Sequence, residues 1–148
     1  MKNYLYQKAN MPLKNRKKII IKQRDLTDCG PACIASIAAF YNSQIPVAKI
    51  RQSAGTDQKG TSAFGLIKAF QAIGMTAKGI RCKPEQMAGV PLPAIAHFNI
   101  DNKVMHYVVV YKVGKNSIKI MDPASGKLSS VDWETYKKQW SGIMIISA

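Results

Sequence analysis

A thiol at position 29, imidazoles at 97 and 106 and a small set of carboxylates are the groups in this chain with chemistry to offer. Cys29 lies in Gln23-Arg24-Asp25-Leu26-Thr27-Asp28-Cys29-Gly30-Pro31-Ala32-Cys33, where a polar loop gives way to an apolar run. Thr27 or Asp28 suits a helix N-cap, and Pro31 suits the first turn. A helix N-terminus carries unpaired N–H groups and about half a positive charge. Such a field favours thiolate, the nucleophilic form of cysteine. Acyl transfer by a thiol also needs a base, a group that holds the base in one tautomer, and donors for an oxyanion. His106 and Asp122 can supply the first two. Gln23, six residues before Cys29, can donate beside the Cys29 backbone N–H. The pattern points first to a cysteine hydrolase.

The elements that must position these groups are legible in the periodicity. From Ala32 to Tyr41 the residues Cys33, Ile34, Ile37, Ala38 and Tyr41 share one broad face, which predicts a buried helix. Ser43-Gln44-Ile45-Pro46 ends it, and Pro46 opens a short helix that stops near Gly55. Asp57–Gly60 reads as a loop. Thr61 or Ser62 caps a third helix with Phe64, Ile67, Phe70 and Ile73 facing the core and Gly74 as its stop. Pro84–Met87 reads as a single turn. After Gly89 the period changes. Ala94–Ile100 and Lys103–Val113 read as strands joined by a turn at Asp101-Asn102. Gly114-Lys115-Asn116 leads into a strand over Ser117–Met121, which Asp122-Pro123 ends. Asp132 caps a helix that runs through Trp140, and Ile143–Ser147 is a last strand. Helices first and antiparallel strands second predict an α+β fold. The expected division is a basic extension over residues 1–20 and one folded domain over 21–148, with Ile19–Gln23 as an extended segment leading into the site.

Strand geometry tests whether His106 and Asp122 can meet. If Gly114–Asn116 is a three-residue hairpin loop, Val113 pairs with Ser117 and His106 lies opposite position 124. Asp122 is then a diagonal neighbour on the same face. A two-residue loop puts the two on opposite faces. His97 competes for the base role, because a two-residue turn at Asp101-Asn102 sets it directly across from His106. The relation to Asp122 favours His106 as the base and leaves His97 as a packed histidine. On spacing alone Gln23 reads more simply as an exposed loop glutamine. Cys33 and Cys82 read as small buried hydrophobes.

Composition sets the outer bounds. A chain of 148 residues with 47% apolar content suits one domain with a real core. Three cysteines make an odd count without framework spacing, which suits a reducing compartment. A structural zinc site normally takes four Cys or His ligands. Cys29 and Cys33 have only His97 and His106 to join them, so no metal and no cofactor is expected. No apolar run approaches the roughly 18 residues of a membrane span. The net charge of +14, from 22 Lys and Arg against 8 Asp and Glu, attracts anions of any kind. It also has the plain reading of solvated surface charge. A nucleic-acid module is disfavoured, since the basic tail lacks interleaved aromatics and no zinc-finger signature is present.

The string Gln23…Asp28-Cys29-Gly30-Pro31-Ala32-Cys33 strongly resembles the peptidase domain of ABC transporters that export bacteriocins and lanthipeptides. His106-Tyr107-Val108-Val109-Val110 and Asp122-Pro123…Gly126 resemble that domain's other two motifs, and Gly60-Thr61-Ser62…Gly65-Leu66 resembles its third-helix start. The resemblance runs from about Lys22 to Ser147. It implies a papain-like fold and cleavage of leader peptides after a double-glycine type motif. By position it implies Cys29 as nucleophile, His106 as general base, Asp122 as its orienter and Gln23 as oxyanion donor. It implies as partners an acidic amphipathic leader peptide and the membrane and nucleotide-binding domains of the transporter. Related domains on haemolysin-type exporters lack the cysteine and only dock cargo; this chain keeps it. The expectation is the cytoplasmic peptidase domain of a bacterial plasma-membrane transporter, ending before the first membrane helix.

Overall fold

A computed structural model describes residues 17–100 and 104–148. Three helices come first: α1 (Cys29–Phe40), α2 (Val47–Ala54) and α3 (Ala63–Ala72). Strand β1 (Ala77–Arg81) and a 3₁₀ segment (Pro84–Gly89) follow. Then come β2 (Ala94–Ile100), β3 (Val104–Val113), β4 (Ser117–Asp122), β5 (Lys127–Asp132), α4 (Trp133–Gln139) and β6 (Trp140–Ser147). The six strands form one antiparallel sheet in the order β1-β6-β2-β3-β4-β5. The expected α+β architecture is observed.

The strands read as unbroken apolar runs because both sheet faces are covered. On β3, Tyr107, Val109 and Tyr111 join the core under α1, while Val108 and Val110 join the core under α4 and the 3₁₀ segment. Helix α1 is apolar all round, and every residue from Cys29 to Ala38 is buried, as befits a helix enclosed on all sides. It lies against β3, with α2 and α3 packed beside it. Tyr136 of α4 is fully buried, ringed by Phe98, Trp133 and Trp140 at centroid distances of 5.2–5.8 Å.

Capping follows the expected residues. Ser62 Oγ accepts from the Gly65 N–H at 3.0 Å, and Asp132 Oδ1 accepts from the Thr135 N–H at 2.9 Å. Gly55 ends α2 in the left-handed region, at φ 67°. Helix α1 starts at Cys29 with Asp28 at the N-cap position, as expected. Three features depart from the sequence reading. Strands β1 and β5 were not expected; both are edge strands, rich in Lys, Ser and Gly, and their pairing comes from neighbours rather than from an apolar alternation. Trp140 opens β6 instead of ending α4. Phe64, expected in the core, is 66% exposed, and Leu66 takes the inward position. Residues 1–16 of the expected extension lie outside the described residues. Near its end, Ile19 packs on the core and its backbone N–H and C=O both bond to the Tyr111 hydroxyl, at 3.1 and 2.8 Å.

Close approach of α2 and α3 depends on Gly65, where a Cβ would collide with the Ala54 carbonyl oxygen. Backbone cannot swing aside as a side chain does, so overpacking here costs about 1–3 kcal/mol. Gly65→Ala should therefore lower Tm by several degrees in thermal unfolding. Gly89→Ala, where a Cβ meets nothing within 4 Å, should leave Tm unchanged.

Candidate active site

Cys29 is the first residue of α1 and is 6% exposed. Asp28 holds the N-cap position but makes no side-chain cap bond. Among the described residues neither the Cys29 nor the Gly30 N–H has a backbone or side-chain acceptor, and Pro31 has none to give. Position 29 thus combines a thiol with open N–H donors and the positive end of a helix.

The sheet brings His106 and Asp122 together. His106 Nε2 lies 2.7 Å from Asp122 Oδ1, and the Cys29 thiol is near enough to the same imidazole to raise its pKa. With Nε2 on the carboxylate, Nδ1 is the nitrogen left for sulfur. How the strands achieve this differs from the sequence reading. Val113 pairs with Ile118, not Ser117, because the loop is the two-residue one: the Gly114 N–H bonds to the Ser117 carbonyl at 2.8 Å across Lys115-Asn116. That register alone would turn His106 and Asp122 to opposite faces. A bulge between Val110 and Lys112 then shifts the pairing by one residue, so that Val110 meets Ile120 and Val109 meets Met121. The bulge restores the parity that lets the two side chains meet.

His97 does not sit across from His106. The turn expected at Asp101-Asn102 lies outside the described residues, but on either side His97 pairs with Tyr107 and His106 with Phe98. Strand alternation therefore turns the two histidines to opposite faces. His97 is 5% exposed, lies against the Tyr107 ring at 5.2 Å, and has Nδ1 2.8 Å from Ser141 Oγ. Burial lowers its pKa.

His106 behaves differently. Burial pushes its pKa down, but the hydrogen bonds to Asp122 and Cys29 and their negative charge outweigh that, raising it to about 9. Burial works against the Asp122 carboxylate too, yet the His106 hydrogen bond and charge and the Ala124 and Ser125 N–H groups hold its pKa below the usual value. The pair favours imidazolium beside carboxylate. Cys33, one turn along α1, is fully buried, and burial pushes its thiol well up. Burial also raises the pKa of the Cys82 thiol.

Gln23 reaches the site through its backbone. Its N–H donates to the Pro123 carbonyl at 2.9 Å, directly after Asp122. Gly126, at φ 68°, closes that turn, and a Cβ there would come within 3.0 Å of the Lys22 Cβ. The glycine of the Asp122-Pro123…Gly126 motif thus lets the turn clasp the strand that carries Gln23. The Gln23 side-chain Nε2 donates to the Asp25 carbonyl at 3.0 Å. It also donates to the Leu26 carbonyl at 3.4 Å, so both of its hydrogens have acceptors in the loop.

An exposed apolar rim was not foreseen. Leu26 in the loop before Cys29 is 93% exposed, Met105 beside His106 is 63% exposed, and Val104 and Phe64 are also open. Thr61, before α3, accepts from the Tyr107 hydroxyl at 2.9 Å and brings the Phe64 end of α3 to this side of the sheet. The signal for such a rim is apolar residues in loop or first-turn positions that have no core to face.

Known proteins are similar to this chain in sequence and in fold. The lactococcin-G-processing and transport ATP-binding protein LagD of Lactococcus lactis subsp. lactis is 44% identical over 130 residues, 86% of this chain and 18% of LagD. The pediocin PA-1 transport/processing ATP-binding protein PedD of Pediococcus acidilactici is 35% identical over 88% of this chain and 18% of its own length. The chain thus spans under a fifth of the length of these relatives. Among solved structures, the peptidase domain of Streptococcus ComA, a bifunctional ABC transporter of a quorum-sensing pathway, superposes with a TM-score of 0.83. Identity there is 30%, over 89% of this chain and 98% of that one. A double glycine motif protease from an AMS/PCAT transporter, solved with its leader peptide, gives 0.81 at 29% identity, over 89% and 91%. The fold is the papain-like one of these peptidase domains. Residues 17–148 match the Peptidase C39 family throughout, and with a cysteine kept at the start of α1, this chain belongs to that family of cysteine peptidases.

Proposed function

We propose that residues 21–148 form a leader peptidase that cuts precursor peptides after a double-glycine type motif, as the cytoplasmic part of a peptide exporter with membrane and nucleotide-binding domains. The observation that carries this reading is the imidazole of His106, held by Asp122 at 2.7 Å and near enough to the Cys29 thiol for its pKa to be raised by it. The names of LagD and PedD and the leader-bound AMS/PCAT protease support the substrate class.

In this mechanism Cys29 Sγ attacks the scissile carbonyl carbon while paired with the His106 imidazolium. Negative charge develops on the carbonyl oxygen, which the Cys29 N–H receives together with Gln23 Nε2, once that group exchanges its long bond to the Leu26 carbonyl for the oxyanion. His106 then gives its proton to the leaving amine, and an acyl-enzyme remains on sulfur. Water, deprotonated by His106, releases the leader and restores the thiol. Asp122 fixes the imidazole and stabilises its charged form. Small residues before the cut permit close backbone approach to the thiol. The exposed Leu26, Phe64 and Met105 suit the apolar face of an amphipathic leader helix.

The deciding experiment incubates the domain with precursor peptides whose acidic leaders end in Gly-Gly, Gly-Ala or Ala-Gly ahead of a core segment and locates the cut by mass spectrometry. Cleavage after the small pair is expected, and binding without any cut would leave a cargo-docking domain instead. Cys29→Ala should abolish cleavage and keep leader binding. Gln23→Ala should lower kcat by roughly 10²–10³-fold with a smaller change in KM.

The pH profile follows from His106. An imidazole whose pKa stands at about 9 loses its proton as pH rises through that value, and with it the acid for the leaving amine. An alkaline limb near pH 9 is expected in kcat/KM. Asp122→Asn removes a group that raises the pKa, so the limb should move to lower pH; an unmoved limb would assign it to another group.

Charge supplies a last expectation. A net charge of +14 speeds encounter with an acidic leader, but its reach shrinks from about 30 Å at 0.01 M salt to about 8 Å at 0.15 M. Over that range kcat/KM should fall severalfold at nearly constant kcat. Leaders with Gln and Asn in place of Glu and Asp should flatten the response.

A further inference from the structure

The residue before the nucleophile breaks a rule of helix ends. An aspartate at the N-cap normally turns its carboxylate onto the N–H groups of the second or third helical residue. At α1 the third residue is Pro31, so Gly30 offers the sole such donor, and Asp28 does not take it. Its carboxylate is buried, with the side chain 9% exposed, and Arg51 Nη1 of α2 lies 2.5 Å from Oδ1. The same Nη1 lies 3.9 Å from Asp25 Oδ2. Asp25 in turn holds the loop: Oδ1 accepts from the Thr27 N–H and hydroxyl at 3.2 Å, and its carbonyl accepts from Gln23 Nε2. One guanidinium therefore ties together the turn that carries Cys29 and the loop that carries Gln23.

We propose that Arg51 is a positioning residue of the catalytic site: it draws the Asp28 carboxylate off the end of α1, leaves the Cys29 and Gly30 N–H groups open to the substrate oxyanion, and cancels a negative charge next to the thiol. Two physical points carry this assignment. A buried carboxylate without a partner costs several kcal/mol, so without Arg51 it must find one, and the Gly30 N–H is at hand. An unpaired carboxylate beside the thiol would also repel the thiolate. The location of Arg51 is itself prepared. It lies in the last turn of α2, where the helix dipole favours a cation, and Ile50 and Ala54 on either side of it anchor that turn in the core. A guanidinium can face two carboxylates in one plane, which an ammonium does poorly.

This rests on the cysteine-peptidase reading, and the test separates the two. Three quantities are measured on wild type, Arg51→Met and Arg51→Met/Asp28→Ala: kcat on a double-glycine precursor, the pH midpoint of Cys29 alkylation by iodoacetamide, and Tm. His106 and Tyr107 on β3, Asp122 on β4 and Cys33 on α1 also surround the thiol, and none of them changes across the series. In Arg51→Met, kcat should fall roughly tenfold or more and the alkylation midpoint should rise by about one pH unit. Removing the stranded carboxylate in the double variant should return the midpoint and most of kcat, even with Tm still low. A merely structural ion pair predicts the reverse: the double variant is no better than the single, and the midpoint does not move. Either result overturns the proposal. If Arg51→Met does not fold, Arg51→Lys decides: the midpoint should stay in place while kcat drops, and an unchanged kcat overturns the role of the fork. Alkylation needs no peptide, so wild type that alkylates normally but cuts no precursor would sink the leader-peptidase reading and leave the Arg51 assignment to be judged on the midpoint alone.

Discussion

The hydrogen bond between His106 Nε2 and Asp122 Oδ1, 2.7 Å long and mostly buried, is the interaction that the rest of the site is arranged around. It links two neighbouring strands at one end of the sheet, so it exists only in one register. A slip of one residue would send one partner to the other face. The hairpin loop after β3 sets the wrong parity, and the bulge before Lys112 corrects it within the same strand pair. Everything downstream inherits that correction: the imidazole is held by one nitrogen, its charged form is favoured, and the other nitrogen is left to sulfur.

Against this sheet-borne pair the fold sets a helix end. Helix α1 can enter the core because it carries no charge and few polar groups along its length; Ser36 satisfies its own hydroxyl on the Ala32 carbonyl at 2.9 Å. Gly30 lets α3 come in close, since a Cβ there would meet Leu66 at 2.7 Å. Burial also fixes where the helix dipole points. The polar residues Asp25, Asp28, Gln23 and Arg51 are gathered in the loop before α1 and on the end of α2, where Arg51 faces both carboxylates and Gln23 Nε2 bonds the loop backbone.

The surface around the thiol is of two kinds. Apolar side chains at Leu26, Phe64, Val104 and Met105 stay open close to the chemistry, while positive charge is spread over the rest of the chain. Apolar contact is short-ranged and insensitive to salt, and charge acts over many ångströms and is screened. A substrate with an apolar face and acidic flanks would use both, charge for encounter and the rim for residence.

Much of this was readable from residue order alone. Local rules identify Cys29 before a helix, Ser62 and Asp132 as caps and Gly55 as a stop, because capping and turn chemistry depend only on neighbours in sequence. The apolar runs of β2, β3 and β4 are equally plain. Edge strands β1 and β5 were not, since Lys78, Gly79, Ser129 and Ser130 have no reason of their own to be extended; the hydrogen-bonding edge beside them is the reason. Phe64 was misread because helical periodicity cannot say whether a partner covers a given face. The sequence by itself determined which residue types were present for thiol chemistry and roughly which elements hold them. Only the tertiary structure decided that His106 and not His97 meets Asp122, because strand register depends on loop width and a bulge that no local pattern encodes. It also decided that Arg51, twenty-two residues beyond Cys29, reaches back to Asp28, since a contact between helices follows from their packing and leaves no spacing to read.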